Sequence, residues 1–189
     1  DVLCTDKTGT LTLGVVGLNS AVDAVGNDAP SVLQLAWLNA ELETGIENPL
    51  DTAIVAAGQR AGLDAGGYAK VDEIPYDFMR KRLTIVVAPA AEPASHLIIT
   101  KGAFDNVLSI CRTVLRGDRE LPLDDATRKA LGAFFRDKGA EGYRVLAVAS
   151  RTVSPRPRYA HADEAEMTFR GFLLFQDPPK ETAARTIRD

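Results

Sequence analysis

The sequence predicts a mixed α/β domain of the α+β kind, an antiparallel β-sheet flanked by helices. Three observations predict it. Residues 83–87 and 96–101 alternate with period two and are separated only by a Pro/Ala-rich loop, the pattern of a hairpin. Before them, apolar residues recur three or four apart, first at Val32, Leu35, Leu38 and Leu42 and then at Leu50, Ile54 and Ala57, the spacing of two helices. Strands and helices follow in mixed order with hairpin-like neighbours, which favours an antiparallel sheet.

Taken in order, residues 1–13 read as a short apolar strand, a polar Gly-containing turn and resumed alternation. Residues 14–29 are rich in Gly, Asn and Asp and read as loop. Helices follow from Ser31 and from Pro49, whose fixed φ suits a first helical turn; Gly62 and the Gly66-Gly67 pair end the second. After the hairpin come a short helix beyond Gly102 and a turn at Gly117-Asp118. A helix from about Asp124 buries Leu131, Phe134 and Phe135, with Lys138 and Gly139 as its C-terminal charge and cap. A strand over 144–150, a Pro-rich loop over 154–158 and a closing strand over 167–175 complete the chain.

Composition excludes several classes. At 189 residues the chain holds one sizeable core, and 46% hydrophobic with 25% charged residues describes a soluble globular protein. Net charge is −4 with the signs interspersed, which argues against a nucleic-acid partner. Two isolated cysteines, Cys4 and Cys111, make neither a disulfide framework nor a zinc knuckle. No apolar run nears the roughly 20 residues that cross a bilayer. His96 and His161 lack ligand partners at metal spacing, and the acidic run Asp163-Glu164-Glu166 reads as a solvated face. Both ends of the chain look abrupt, as in an excised piece of a longer polypeptide.

The chemistry concentrates in Asp6-Lys7-Thr8-Gly9-Thr10-Leu11-Thr12. An aspartate at the end of an apolar strand exposes its carboxylate where the backbone turns. Such a carboxylate can attack a phosphoryl group and form an acyl phosphate. Lys7 and the Thr8 and Thr10 hydroxyls can neutralise and orient phosphate oxygens, and Gly9 lets the backbone approach.

This heptapeptide resembles the phosphorylation motif of P-type ATPases, and further matches follow in family order. Lys101-Gly102-Ala103 looks like the KGA motif of their nucleotide-binding domains, whose lysine lines the adenine pocket. Pro75 to Arg82 (PYDFMRKR) resembles the segment whose phenylalanine, here Phe78, stacks on adenine, with Arg80 and Arg82 on the phosphate side. Tyr143 to Ala149 (YRVLAVA) resembles the strand carrying a nucleotide-contacting arginine, Arg144, with Leu146 on the same face. Asp51 matches the acidic residue that meets the adenine amino group, a position where most pumps have Glu. Asp177-Pro178-Pro179-Lys180 resembles the hinge where the chain re-enters the phosphorylation domain. The segments AWLN, FMRKR and GFLLFQDPPK look most like bacterial magnesium-importing P-type ATPases.

The resemblance implies a layout: residues 1–13 as phosphorylation strand and first hinge, 14–169 as nucleotide-binding domain inserted between two hinge strands of a haloacid-dehalogenase-like domain, and 170–189 as second hinge. It implies ATP and Mg²⁺ as cofactors, the metal meeting the Asp6 carboxylate and the Thr8 carbonyl. The partners would be the phosphorylation, actuator and transmembrane parts of the same pump, in a bacterial plasma membrane with this domain on the cytoplasmic side. The family's GDGxNDxP and TGES segments do not occur in these 189 residues. The segment is therefore expected to be a soluble monomer that binds nucleotide without turning it over. Two other readings compete. A haloacid-dehalogenase-type phosphatase would carry a second acid two residues after its nucleophile, where this chain has Thr8. A free-standing nucleotide sensor would not need an intact DKTGTLT.

Overall fold

The computed structural model describes residues 16–45 and 48–177. The elements run β1 Gly17–Val22, α1 Pro30–Glu41, α2 Pro49–Arg60, β2 Tyr68–Asp77, β3 Arg82–Pro89, β4 His96–Ala103, α3 Phe104–Leu108, β5 Cys111–Arg116, β6 Arg119–Pro122, α4 Asp125–Ala140, β7 Arg144–Val153 and β8 Met167–Gln176. Eight strands form one sheet in the order β2-β3-β4-β7-β8-β5-β6, and β1 pairs with β8. All pairings are antiparallel except β5 with the first part of β8, so the sheet is mixed.

Alternation along the central strands sends side chains to two cores. Val86, Ile98, Ala147, Phe169 and Phe172 join α3 and α4 on one face. Leu83, Ile85, Ile99, Val148 and Leu173 join α1 and α2 on the other. Because both faces are covered, β3 and β8 are buried almost throughout. The α3/α4 core is aromatic: Phe172 lies 4.8 Å from Phe134, 5.0 Å from Phe169 and 5.7 Å from Phe104, in tilted and edge-on pairs.

Capping explains where α2 and α4 start. Pro49 opens α2 and the Asn48 side chain accepts from the Leu50 amide; Asp124 accepts from the Thr127 amide at the head of α4. The end of α4 differs from the sequence expectation. The helix runs past Gly139 to Ala140, and Gly142, at φ 92°, makes the left-handed stop.

Four of the described strands were not anticipated. β1 lies in the stretch read as loop: its Gly, Asn and Ser give no strand signal, and pairing with the apolar end of β8 supplies the reason for the strand. β2 is a charged edge strand, and β5 with β6 wraps the expected Gly117 turn. The domain boundary expected at residue 170 falls inside β8, which is continuous and buried through Phe175. Gly17 pairs with Gln176, so the two ends of the described chain lie side by side.

Removing the centre of the aromatic core tests this packing. Phe172→Ala should cost about 3–5 kcal/mol in urea unfolding. Phe134→Ala, at the half-buried rim, should cost distinctly less.

Candidate functional site

Lys101 is the chemical centre of the α1/α2 face. It sits near the end of β4 between Leu83 of β3 and Val148 of β7, and is only 4% exposed. A buried ammonium must be paired. Its Nζ donates to the Asp51 carboxylate in the first turn of α2 and lies 3.7 Å from the Glu43 carboxylate. Glu43 belongs to the connection between α1 and α2, which is tied to the edge strand. Lys70 donates to the Leu42 carbonyl at 2.6 Å, and the Thr44 amide and hydroxyl both donate to Glu73. Asn39, fully buried on α1, donates to the Ile99 carbonyl at 2.8 Å and anchors the end of that helix over β4.

Glu43 is electrostatically perturbed. Burial pushes its pKa up to about 7; Lys101 pulls it down, and the neighbouring Asp51 and Glu73 carboxylates push it further up.

Leu146 packs against the same core as Lys101, and Arg144, two residues earlier on β7, shares its parity and is exposed at the rim. Gly102 has a steric role. A Cβ there would lie 2.4 Å from the Lys81 carbonyl, which accepts from the Ala103 amide. Only glycine lets the turn between β2 and β3 close onto the start of the KGA segment.

That turn carries Phe78. The ring is 86% exposed and Met79 is 89% exposed, while Tyr76 meets the Phe78 ring edge-on at 5.6 Å. An aromatic so exposed contributes little to the core and is available to a flat ligand.

Arg80 and Arg82 do not join this group. Strand alternation turns Arg82 and Thr84 to the α3/α4 face, away from Lys101. Arg80 Nη1 meets both oxygens of Glu164 at 2.7 and 2.6 Å, and Arg82 Nε meets one at 2.9 Å. Both expected phosphate-side arginines are thus engaged by a carboxylate. Glu164 itself is 2% exposed, so the expectation of a solvated acidic run fails there. His96 shares a hydrogen bond with the Tyr159 hydroxyl at 2.8 Å. Cys111 is buried, and burial pushes its thiol up to about 12. Asp177 follows the end of β8. Asp6, Lys7, Thr8, Cys4 and Pro178 lie outside the described residues.

Two residues of consequence escaped the sequence reading. Glu43 lies in an irregular connection, where no periodicity links it to Asp51 or Lys101. Glu164 follows a Pro-rich loop, and nothing local marks it as buried.

The raised Glu43 pKa has a definite sign. The folded state holds the proton more tightly than the unfolded chain, so this contribution to stability is complete below pH 4.5 and is lost as pH rises through about 7. Urea midpoints should therefore fall between pH 5 and pH 8 more in the wild-type chain than in Glu43→Gln. Parallel profiles would contradict the assignment.

Comparison with known proteins adds an independent line. Residues 35–182 match the family described as P-type ATPase, cytoplasmic domain N. The whole chain is 38% identical to the magnesium-transporting ATPase, P-type 1, of Escherichia coli K12, of which it covers 21%. It is 37% identical, again over its full length and 21% of the relative, to the protein of that name in Salmonella typhimurium 14028s. Over 95% of the chain it is 29% identical to a probable cation-transporting P-type ATPase of Mycoplasma pneumoniae, covering 20% of that protein. The chain thus spans about a fifth of the length of these relatives. No described helix is long and apolar enough to cross a membrane. With the α1/α2 face, the KGA strand and the family match in agreement, the chain belongs to the P-type ATPase cytoplasmic N-domain family.

Proposed function

We propose that this chain is the ATP-binding domain of a pump that moves a cation, Mg²⁺, across a bacterial plasma membrane through an aspartyl phosphate on Asp6. The observation that carries the proposal is the conjunction, on one domain of this family, of an exposed Phe78 on a braced turn and a buried Lys101 set between two carboxylates. Phe78 supplies a stacking face. Asp51 and Glu43 accept from the exocyclic amino group of adenine, and Lys101 donates to a ring nitrogen. Leu146 covers the base, and Arg144 at the exposed rim meets phosphate.

The choice of Mg²⁺ as cargo follows the names of the bacterial magnesium-transporting relatives and the whole-chain identity to them. Phosphoryl transfer belongs to Asp6, with Lys7 and Thr8 beside it. The Mg²⁺ that accompanies ATP would be held by the Asp6 carboxylate and the Thr8 carbonyl, where it would neutralise phosphate charge. Asp177 and Pro178 form the second hinge. The pairing of Gly17 with Gln176, which sets the two ends of the described chain side by side, supports reading the segment between them as an insertion.

Calorimetric titration of ATP into the chain tests the pocket. Phe78→Ala should weaken binding by about 5- to 150-fold, the loss of roughly 1–3 kcal/mol of base stacking. Lys101→Ala should weaken it while circular dichroism confirms folding; unchanged affinity in both variants would refute the site. Labelled ATP in a single turnover should leave no acyl phosphate on Asp6 of the 189-residue chain, because transfer needs positioned groups beyond it.

A further inference from the structure

The turn that presents Phe78 is held by its own Asp77 and, from one side, by the buried carboxylate of Glu164. Asp77 accepts from the Met79 and Arg80 amides at 2.8 and 2.6 Å, and the Lys81 amide closes on the Asp77 carbonyl at 2.8 Å. The Arg80 guanidinium then bridges three partners: the Asp77 carboxylate, the Pro75 carbonyl at 2.6 Å, and Glu164, 84 residues away. Glu164 is fully engaged, because Arg82 and the Thr84 hydroxyl, at 2.7 Å, take its remaining capacity. Thr84 in turn shares a hydrogen bond with Thr100 across β3 and β4 at 2.7 Å. The β7–β8 connection is in this way clamped to the base of the turn.

Stability alone is a weak reason for such a cluster, since buried ion pairs are often no better than well-packed apolar side chains. Geometry offers another. The Phe78 ring lies outside both core clusters, 86% exposed beside Tyr76, so its orientation is set largely by the backbone of the turn. Arg80, two residues on, is the side chain that fixes that backbone to the rest of the domain.

We propose that Glu164 is a positioning residue for nucleotide binding: by gripping Arg80 it holds Phe78 in the orientation that stacks on the base, without touching the ligand. The proposal rests on the reading of Phe78 as the base platform. It differs from a direct phosphate role for Arg80 in sign. If Arg80 bound phosphate, neutralising Glu164 would free a guanidinium and tighten ATP binding. If Glu164 acts through the turn, neutralising it weakens binding by an amount that does not depend on phosphate.

Calorimetry on the 189-residue chain with adenosine, ADP and ATP separates these. Glu164→Gln should weaken all three by one common factor, about three- to tenfold. In the Phe78→Ala background the same substitution should change nothing, because the ring it positions is gone. A loss of stability unrelated to Phe78 would not produce that non-additivity. Should Glu164→Gln fail to fold, Arg80→Lys takes its place in the cycle, since it keeps the charge and removes the guanidinium that joins Asp77, Pro75 and Glu164 at once. Wild-type affinity in Glu164→Gln beside weakened binding in Phe78→Ala overturns the inference alone. So does tighter ATP binding, a loss that grows with phosphate number, or full additivity in the double variant. Unchanged binding in Phe78→Ala brings down the platform reading, and the Glu164 role with it.

Discussion

The organising constraint is a lysine ammonium placed inside a sheet covered on both faces. Lys101 is flanked by Leu83 and Val148, neither of which can solvate a charge. Carboxylates have to come to it. Asp51 arrives at the head of α2, where Asn48 and Pro49 set the first turn, and Glu43 arrives on the connection pinned by Lys70 and Glu73. The placement of both helices on this face follows from that need as much as from their apolar stripes. Removing the amine would leave two neighbouring carboxylates without their cation, the costly kind of change at a buried pair.

The sheet divides the basic residues by strand parity. Lys101, Leu146 and Arg144 lie on the α1/α2 side, and Arg82 lies on the other, where it shares the Glu164 carboxylate with Arg80. The segment PYDFMRKR therefore has two jobs. Phe78 and Met79 are offered to solvent at its tip, while its arginines are spent holding the tip in place. A basic cluster in sequence is not a basic surface when a buried carboxylate lies opposite.

The legible parts of the fold were those whose signal is local. Periodicity located α1, α2, the β3–β4 hairpin and β8, and the Asn48-Pro49 and Asp124 starts obey ordinary capping rules. β1 was illegible because its residues are poor strand formers that pair only once β8 is in place. The site divides the same way. Lys101, Gly102 and Phe78 lie in short motifs at strand ends and turns, where spacing carries information. Glu43 and Glu164 act through contacts spanning about 60 and 80 residues, and no window of sequence registers such a contact.

The charge balance around Lys101 also bears on how a nucleotide would lie against it under the proposed function. One ammonium faces two carboxylates, and with Glu43 titrating near neutrality the cluster is neutral or carries a single negative charge. Such a cluster repels phosphate and suits an uncharged group that offers donors to the carboxylates and an acceptor to the lysine. The amino edge of adenine is such a group, whereas guanine sets a carbonyl where that amino group stands. Under the proposed function the base would therefore point inward against Lys101, and the phosphates outward past Arg144. Proton uptake by Glu43 costs the cluster one acceptor but removes a negative charge. Under the proposed function, the balance between those two effects would make affinity for the base, rather than for its phosphates, the quantity that pH tunes.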